Sequence, residues 1–259
     1  MTGKQLLIIN ADDFGYNSKV NAAIISSFEG GLCSSSTIMP NMPGFEEACE
    51  LIHENRLLDS IGLHLVLSEG APITNQLKRY PRICREDGRF HINVERQKLF
   101  RLSTYEKEAL RNEIVAQIEC CRRNHIPLTH IDSHHHVHIE WGVTNLLVGI
   151  IKDMGIRFIR PGRVLDPNST WIKKLYRRCL NIRLKLAGAI ATQCFGTVED
   201  YVRLHTKDAS SPLLNSFEIM IHPGFNERDI LVDLISNRPL QQYIGLVDNY
   251  RAAIPFGKI

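Results

Sequence analysis

Several features that would assign this 259-residue chain to a familiar class are missing. The net charge is only +3 and basic and aromatic side chains form no array, so we expect no nucleic-acid partner. No apolar run approaches the roughly 20 residues that a membrane span needs. The early run Leu6–Ile9 is also too short for a signal peptide.

Cysteine usage argues against a disulfide framework. The seven cysteines are an odd number without a Cys-x-x-Cys motif, and Cys120 and Cys121 are neighbours on a predicted helix. We therefore expect reduced thiols and a cytoplasmic location. With 44% hydrophobic residues, the chain can bury a large core. No repeat, linker or low-complexity segment is present, which predicts a single domain over residues 1–259.

Histidine, by contrast, is concentrated in one place. Five of the eleven histidines lie between His130 and His138, in the segment Thr129-His-Ile-Asp-Ser-His-His-His-Val-His138. Apolar residues precede the segment, which indicates a short buried strand with histidines at its end. Neutral imidazole nitrogens are good metal ligands near pH 7, so the cluster predicts a divalent metal site.

Polar residues also follow other predicted strands. The first apolar strand runs directly into Asp12 and Asp13, and the strand candidate Ser60–Leu65 carries His64 near its end. Adjacent carboxylates repel each other, so a compensating cation is expected beside them. The simpler explanation is that one acid caps the next helix, but capping needs only one carboxylate.

Strands alternate with helical patterns along the chain, which predicts a parallel sheet in either a (β/α) barrel or a doubly wound fold. In both folds the carboxyl ends of the strands share one edge, where catalytic groups collect. Side chains at such ends are Asp12, Asp13, His64, His134, Arg160 and His222. Residues 66–100 have little periodicity and are predicted to form an irregular lid or binding loop. After a late strand at Ser216–Ile221, two helical patterns are expected to close the chain.

Residues 171–187 form a basic amphipathic pattern. The residues expected on its apolar face are Trp171, Leu175, Cys179, Ile182 and Leu186. An ordinary helix with a solvated basic face is the simpler interpretation. Peripheral contact with a membrane surface, or with an anionic substrate, is the alternative.

The strand-end residues are suited to hydrolysis. One carboxylate and two histidines from three strands make a metal site with open positions for water and substrate. A second carboxylate could act as general base on the metal-bound water, and His222 could protonate a leaving amine. Together these groups predict cleavage of an amide or ester.

Four segments, in this order along the chain, resemble the YdjC-like carbohydrate deacetylases, a family that includes the chitooligosaccharide deacetylase and relatives associated with hopanoid biosynthesis. They are Asn10–Gly15, Gly62–Leu65, Thr129–His138 and Met220–Pro223. The resemblance implies a single-domain deformed (β/α) barrel of parallel strands. It also implies removal of an N-acetyl group from an amino sugar with one divalent metal ion, Mg²⁺ or Zn²⁺.

Site residues follow from the resemblance position by position. It implies that Asp13, His64 and His134 bind the metal. Asp12 is then the general base, and His222 is the acid or the oxyanion partner. Substrate contacts are expected from Phe14, Arg160, His136 and His138, with the two histidines in the wall of the pocket.

The basic segment 171–187 departs from the small-sugar members of the family, so a lipid-linked or phosphorylated amino sugar stays open as substrate. Two other classes also stay open. One is a metal-dependent phosphoesterase with Arg160 as a phosphate clamp. The other is a non-catalytic metal-binding or sugar-binding protein on the same scaffold. The sequence leaves a homodimer open as well.

Overall fold

The computed structural model describes residues 6–91, 101–207, 215–247 and 250–259. Within these residues, seven parallel strands form one curled sheet in the order β5-β4-β3-β2-β1-β7-β6. The strands are β1 (Leu6–Phe14), β2 (Ser35–Ile38), β3 (Ile61–Leu65), β4 (His130–Ser133), β5 (Phe158–Ile159), β6 (Cys194–Gly196) and β7 (Ser216–Ile221).

The two edges of the sheet approach each other, which distinguishes a barrel from a doubly wound sheet. Ile190, just before β6, pairs in parallel with Phe158 of β5. Its carbonyl accepts a hydrogen bond from the Ile159 amide at 3.0 Å, and its own amide donates to the Arg157 carbonyl at 2.8 Å. The sheet therefore curls back on itself, and the predicted single-domain deformed (β/α) barrel is confirmed.

Helices surround the sheet: α1 (Ser18–Glu29), α2 (Phe45–Glu54), α3 (Thr104–Arg123), α4 (Trp141–Met154), α5 (Trp171–Leu186), α6 (Val198–Lys207) and α7 (Leu240–Ile244). Local signals explain several of their starts. The Asn17 side chain accepts from the Val20 amide at 3.0 Å, and Ser103 with Glu106 forms a capping box at the start of α3. None of the described helices is long and apolar enough to cross a membrane.

The core lies between the sheet and these helices. Ile8 and Ile9 in the middle of β1 are fully buried, as are Leu110, Ile114 and Ile118 on one face of α3. A strand covered on both faces needs an apolar run rather than an alternating pattern, and β1 has such a run before its acidic end.

The carboxyl-terminal part of the prediction was wrong. In place of two helices, the chain after β7 forms a three-stranded antiparallel sheet, with strands β8 (Pro223–Phe225), β9 (Leu231–Asp233) and β10 (Arg238–Pro239), followed by the short α7. The Asn226 side chain accepts from the amides of Arg228 and Ile230, which closes a turn between β8 and β9. The strand β6 and the helix α6 were also missed.

The segment predicted to be irregular is described up to residue 91. Residues 66–91 contain a 3₁₀ turn at Leu77–Arg79 and a single bridge between Cys84 and Phe90, and are otherwise irregular. Residues 92–100 of this prediction lie outside the described residues.

Candidate active site

The carboxyl edge of the sheet gathers the polar residues predicted from the strand ends. His64 of β3 and Asp132 of β4 lie opposite each other in the register of the sheet. Asp13 at the end of β1 lies between His64 and His134, which follows β4 directly. His222 follows β7, the other neighbour of β1, and faces the same cavity.

A local distortion of β1 turns both neighbouring acids toward this cavity. The pairing of β1 with β2 shifts register between Ala11 and Phe14, and Asp13 has a left-handed backbone with φ 74°. Successive residues of a regular strand point to opposite faces, so without the distortion only one acid would point into the cavity. A non-glycine residue with positive φ carries local strain, which is typical of functional sites. Gly15, with φ 92°, completes the turn without a side chain.

Asp13, His64 and His134 form one of three groups of potential metal ligands among the described residues. Oδ1 of Asp13 lies 3.1 Å from Nε2 of His64 and 2.9 Å from Nδ1 of His134. Adjacent ligand atoms around an octahedral or tetrahedral cation are separated by roughly 3.0–3.4 Å. The group lines a cavity of about 360 Å³, where substrate and water can enter. The donor set and its spacing therefore fit a divalent metal.

Asp132 holds the His64 ring in place from the other side. Its Oδ1 lies 2.7 Å from Nδ1 of His64, and the Thr37 hydroxyl lies 3.0 Å from the same nitrogen and donates to Oδ2 of Asp132 at 3.1 Å. The other ring nitrogen is thereby directed at Asp13. A carboxylate behind a ligating histidine is a common arrangement at metal sites, because it fixes the ring orientation and raises the basicity of the ligand.

The carboxylates of Asp13 and Asp132 favour a positive charge at His64. Burial alone would lower the pKa of His64, but Asp132 and Asp13 outweigh it and raise that pKa to about 10. Burial likewise would raise the pKa of Asp13, but the hydrogen bonds from His134 and His64 hold it well below its usual range. Asp13 is therefore ionised, and the protonated His64 supplies a positive charge that a bound metal would replace with its own.

Asp12 is held by a buried arginine. Nη1 and Nη2 of Arg160 donate to the two carboxylate oxygens of Asp12 at 2.6 and 2.7 Å, and Asn10 donates to Oδ1 at 2.9 Å. Burial would raise the pKa of Asp12, but the charge and hydrogen bonds of Arg160 hold it well below its usual range. Asp12 is therefore ionised across the neutral range.

Arg160 was expected to contact substrate, and its side chain is buried rather than part of the cavity lining. Arg160 has no exposed surface, and its guanidinium also lies 2.7 Å from Asp132 and 2.6 Å from Glu218. The aromatic ring of Phe195 packs against it at 4.6 Å. With no exposed surface and three carboxylates around its guanidinium, Arg160 orients Asp12 and presents no donor to the cavity.

Phe14 and His138, which were also expected to contact substrate, are buried and do not line the cavity beside Asp13. His138 instead lines a separate cavity of about 190 Å³, together with Arg163 and Arg177. His136 borders both cavities, in keeping with its expected place in a wall. His135 and His136 both have left-handed backbone conformations, with φ of 53° and 54°.

His222 lines the same cavity as Asp13, His64 and His134. Its Nε2 is 3.8 Å from Oδ2 of Asp12, beyond hydrogen-bonding distance. Its backbone amide donates to Oδ1 of Asp233 at 2.8 Å, and its carbonyl accepts from the Leu234 amide at 2.8 Å. The antiparallel sheet that replaces the predicted helices therefore positions His222, and it places Leu234 and Ile235 in the cavity wall.

The sequence prediction gave no role to several residues that the structure brings into the site. Glu69 of the irregular segment contacts Nε2 of His134 at 2.9 Å and accepts from the Tyr16 hydroxyl at 2.8 Å. Asp132 lies within the histidine-rich segment, and Glu218 is a lone acid within an apolar strand. An acidic residue in an otherwise apolar strand could have indicated a buried cationic partner, because a buried carboxylate needs one. Glu69 carried no comparable signal.

Two other groups of potential ligands are less suitable. Asp12, His64 and Asp132 are all buried, and the Arg160 guanidinium already neutralises the two acids of this group. The group of Glu69, His134 and His135 shares His134 with the first group and lies nearer to solvent. The group of Asp13, His64 and His134 is partly buried, and it also lines the cavity, so a metal ion and substrate can reach it.

Fold and site together define a (β/α)-barrel protein with a histidine–aspartate centre at the carboxyl edge of its strands. Residues 6–251 match the family model described as YdjC-like protein, and the chain belongs to this family. The resemblance inferred from the four segments is thus confirmed.

Relatives with assigned names cover most of the chain. A carbohydrate deacetylase from Brevibacillus brevis is 30% identical over 228 residues, which cover 87% of this chain and 84% of the relative. A carbohydrate deacetylase from Oceanobacillus iheyensis is 30% identical over 223 residues and covers 86% of both chains. A crystal structure from Enterococcus faecalis, provisionally named a cellobiose-phosphate cleavage protein, has a TM-score of 0.71 at 23% identity and covers 97% of both chains. That likeness supports the fold.

Proposed function

We propose that this protein is a metal-dependent hydrolase that removes an N-acetyl group from an amino sugar, free or within a glycoconjugate. The observation that carries the proposal is the convergence of Asp13, His64 and His134 beside Asp12 on one open cavity. The names of the Brevibacillus and Oceanobacillus relatives support carbohydrate deacetylation as the reaction.

Asp13, His64 and His134 would hold the metal ion. When bound, a divalent cation would polarise the acetyl carbonyl and increase the acidity of a water molecule. Two imidazole nitrogens and one carboxylate oxygen suit zinc or another transition metal, and Mg²⁺ is the alternative because it also accepts open sites completed by water. Asp132 would support the site by fixing the ring of His64.

Asp12 and His222 would move the protons. Asp12 is ionised and faces the cavity, so it would accept a proton from the water that attacks the acetyl carbon. Arg160 keeps this carboxylate charged and fixes its orientation. His222 would donate a proton to the sugar nitrogen as the C–N bond breaks, which releases acetate and the free amine. The 3.8 Å separation of the two side chains allows both to reach the same reacting amide.

Residues around the cavity would bind the sugar. Leu234 and Ile235 offer an apolar wall, while Tyr16 and Glu69 offer a hydroxyl and a carboxylate on another side. Through Glu69, the irregular segment reaches the metal group. We propose that this segment contributes to substrate binding, as its predicted role as a lid or binding loop requires.

The decisive test is an assay for acetate release from N-acetylated amino sugars supplied free, as oligomers, phosphorylated and lipid-linked. The protein should be stripped of metal and reconstituted separately with Zn²⁺ and Mg²⁺, with the Asp12→Asn variant as control. We expect acetate release that depends on the added metal and falls strongly in the variant. Release of phosphate from phosphoesters without acetate would overturn the proposal. Binding of metal and sugar with neither product would favour a non-catalytic protein.

The structure weakens the phosphoesterase alternative at one point. That alternative relied on Arg160 as a clamp for phosphate. The Arg160 guanidinium is buried and paired with Asp12, Asp132 and Glu218, so it offers no donor to a ligand in the cavity.

A further inference from the structure

Helix α5 has two apolar faces, and the larger one points away from the protein. Leu180 and Leu184 pack inward on the buried face. The apolar face identified in the sequence is exposed. Its ends are Trp171, 73% exposed, and Leu186, 83% exposed. Between them lie the other exposed apolar residues of this face, Ile172, Leu175, Cys179 and Ile182.

Basic residues surround this exposed face. The sequence of α5 contains six lysines and arginines and no acidic residue: Lys173, Lys174, Arg177, Arg178, Arg183 and Lys185. Lys174, Arg178 and Lys185 each directly precede a residue of the exposed face, so each lies about 100° around the helix from that residue, and the three form one border of the face. On the opposite border, the Arg183 guanidinium lies 5.1 Å from the centre of the Trp141 ring.

A shallow apolar depression continues the exposed face toward α4. It has a volume of about 430 Å³, and Trp141, Val148, Ile182 and Leu186 line it, with Arg183 at its edge. Apolar surface bordered by guanidinium and ammonium groups matches the layering of a lipid bilayer, in which acyl chains lie beneath charged headgroups.

We propose that α5 docks the protein on the surface of membranes that contain anionic lipids, with the helix axis in the plane of the surface. The exposed apolar residues enter the upper acyl region, and Lys174, Arg178 and Lys185 contact acidic headgroups. An amphipathic helix with an aromatic apolar face and a basic border has the chemistry of such interfacial helices. Docking is independent of the proposed deacetylation and can be measured without substrate.

A second copy of the chain fits this face less well. In a two-fold dimer the same patch meets itself, so α5 would face α5. The basic residues that border the face would then meet their own copies, with no acidic residue in either helix, and would repel across the interface. Charge complementarity therefore favours an anionic surface over a self-complementary one.

Docking through α5 would also bring the catalytic edge near the membrane. The helix begins after the loop that follows β5, on the edge of the sheet where Arg160 lies. Arg177 of α5 donates to the Arg163 carbonyl at 2.7 Å and borders the cavity that also contains His136. His136 in turn lines the catalytic cavity. The amino-terminal half of α5 is therefore next to the proposed active site.

The test is cosedimentation of the full chain with phosphatidylcholine vesicles that contain or lack phosphatidylserine. We expect binding to the anionic vesicles only, and weaker binding as salt is raised. Replacing Lys174, Arg178 and Lys185 together by glutamine should weaken binding by about two orders of magnitude, at roughly fivefold for each charge. Trp171→Ser should also weaken it.

Matched controls lie on α3, where Tyr105 is 72% exposed and Lys107 is exposed. Tyr105→Ser and Lys107→Gln should bind vesicles as the wild type does. Equal binding to neutral and anionic vesicles, or wild-type binding by the triple variant, would overturn the proposal. So would a stable dimer that Trp171→Ser dissociates in sedimentation velocity, because the face would then be a protein interface.

Discussion

Oδ1 of Asp132 lies 2.7 Å from Nδ1 of His64, and both side chains are almost completely buried. The contact leaves Nε2 as the ring nitrogen that faces Asp13. The carboxylate therefore determines which nitrogen of His64 is presented to the cavity, although it does not line the cavity itself.

Asp132→Asn should weaken metal binding without removing a proposed ligand. An amide is a poorer acceptor for the His64 ring, and loss of such a supporting carboxylate typically costs 10–100-fold in metal affinity. Titration of the metal-free protein with Zn²⁺ would measure this. Asp153→Asn makes the same chemical change at an exposed position and should leave the affinity unchanged. Equal affinity in Asp132→Asn and wild type would show that Asp132 serves only the Arg160 cluster.

The histidines of the cluster should separate into two groups. His64→Ala and His134→Ala each remove a nitrogen that lies within 3.1 Å of Asp13, so both should lose bound metal. His136→Ala and His138→Ala remove rings outside this group of ligands and should retain it. Metal content after dialysis provides the measurement, and equal loss in all four variants would overturn the assignment.

The two neighbouring acids should have separable roles. Asp13→Asn should lose metal and activity together, because Asp13 contacts both histidines of the metal group. Asp12→Asn should retain metal and lose rate by roughly 10²–10⁴, the usual contribution of a general base. Metal content and acetate release would be measured on the same samples. Loss of metal in Asp12→Asn with retention in Asp13→Asn would reverse the roles.

Glu218 should make the protein less stable as pH rises. Burial, only partly offset by Arg160, raises the pKa of Glu218 from 4.5 to about 7. The folded state therefore keeps a proton between these pH values that the unfolded state has released, so the free energy of unfolding falls as pH rises from 4.5 to 7. The cause is structural: one guanidinium serves three carboxylates, and Oε2 of Glu218 has no hydrogen-bond partner among the described residues.

Glu218→Gln cannot ionise and should lose this pH dependence. Relative to wild type, it should gain stability between pH 4.5 and 7, by at most about 3 kcal/mol at 1.36 kcal/mol per pKa unit. Urea unfolding at both pH values would measure the difference. The exposed Glu108→Gln is the control and should follow wild type. A constant offset between Glu218→Gln and wild type would mean that Glu218 is ionised throughout.

Local patterns were sufficient for the first two-thirds of the fold. The apolar run before Asp12, the strand candidate Ser60–Leu65 and the helical pattern over residues 171–187 each predicted an element that the structure contains. These signals depend on neighbours within one turn or one strand, which the sequence displays directly. The region after β7 was predicted wrongly because its strands have only two or three residues, too few for alternation to show.

The apolar face of α5 shows the limit of periodicity most clearly. The spacing of Trp171, Leu175, Ile182 and Leu186 was identified from the sequence, but the sequence did not indicate the direction of that face. A helix with apolar residues on two sides does not reveal which side packs inward. The smaller side, Leu180 with Leu184, meets the core. That choice depends on the orientation of the whole helix against the barrel.

The sequence by itself determined which residues stand at the strand ends, since each one interrupts or follows an apolar run. It also determined that parallel strands would bring those ends to one edge. Only the tertiary structure decided how the charges pair there. Arg160 binds Asp12 and not a ligand, Asp132 supports His64, and Glu69 reaches His134 from an irregular segment. These contacts join residues 60 or more positions apart, and their distances depend on the curvature of the barrel and the bulge in β1. Such curvature is a property of the packed sheet as a whole and leaves no local pattern in the chain.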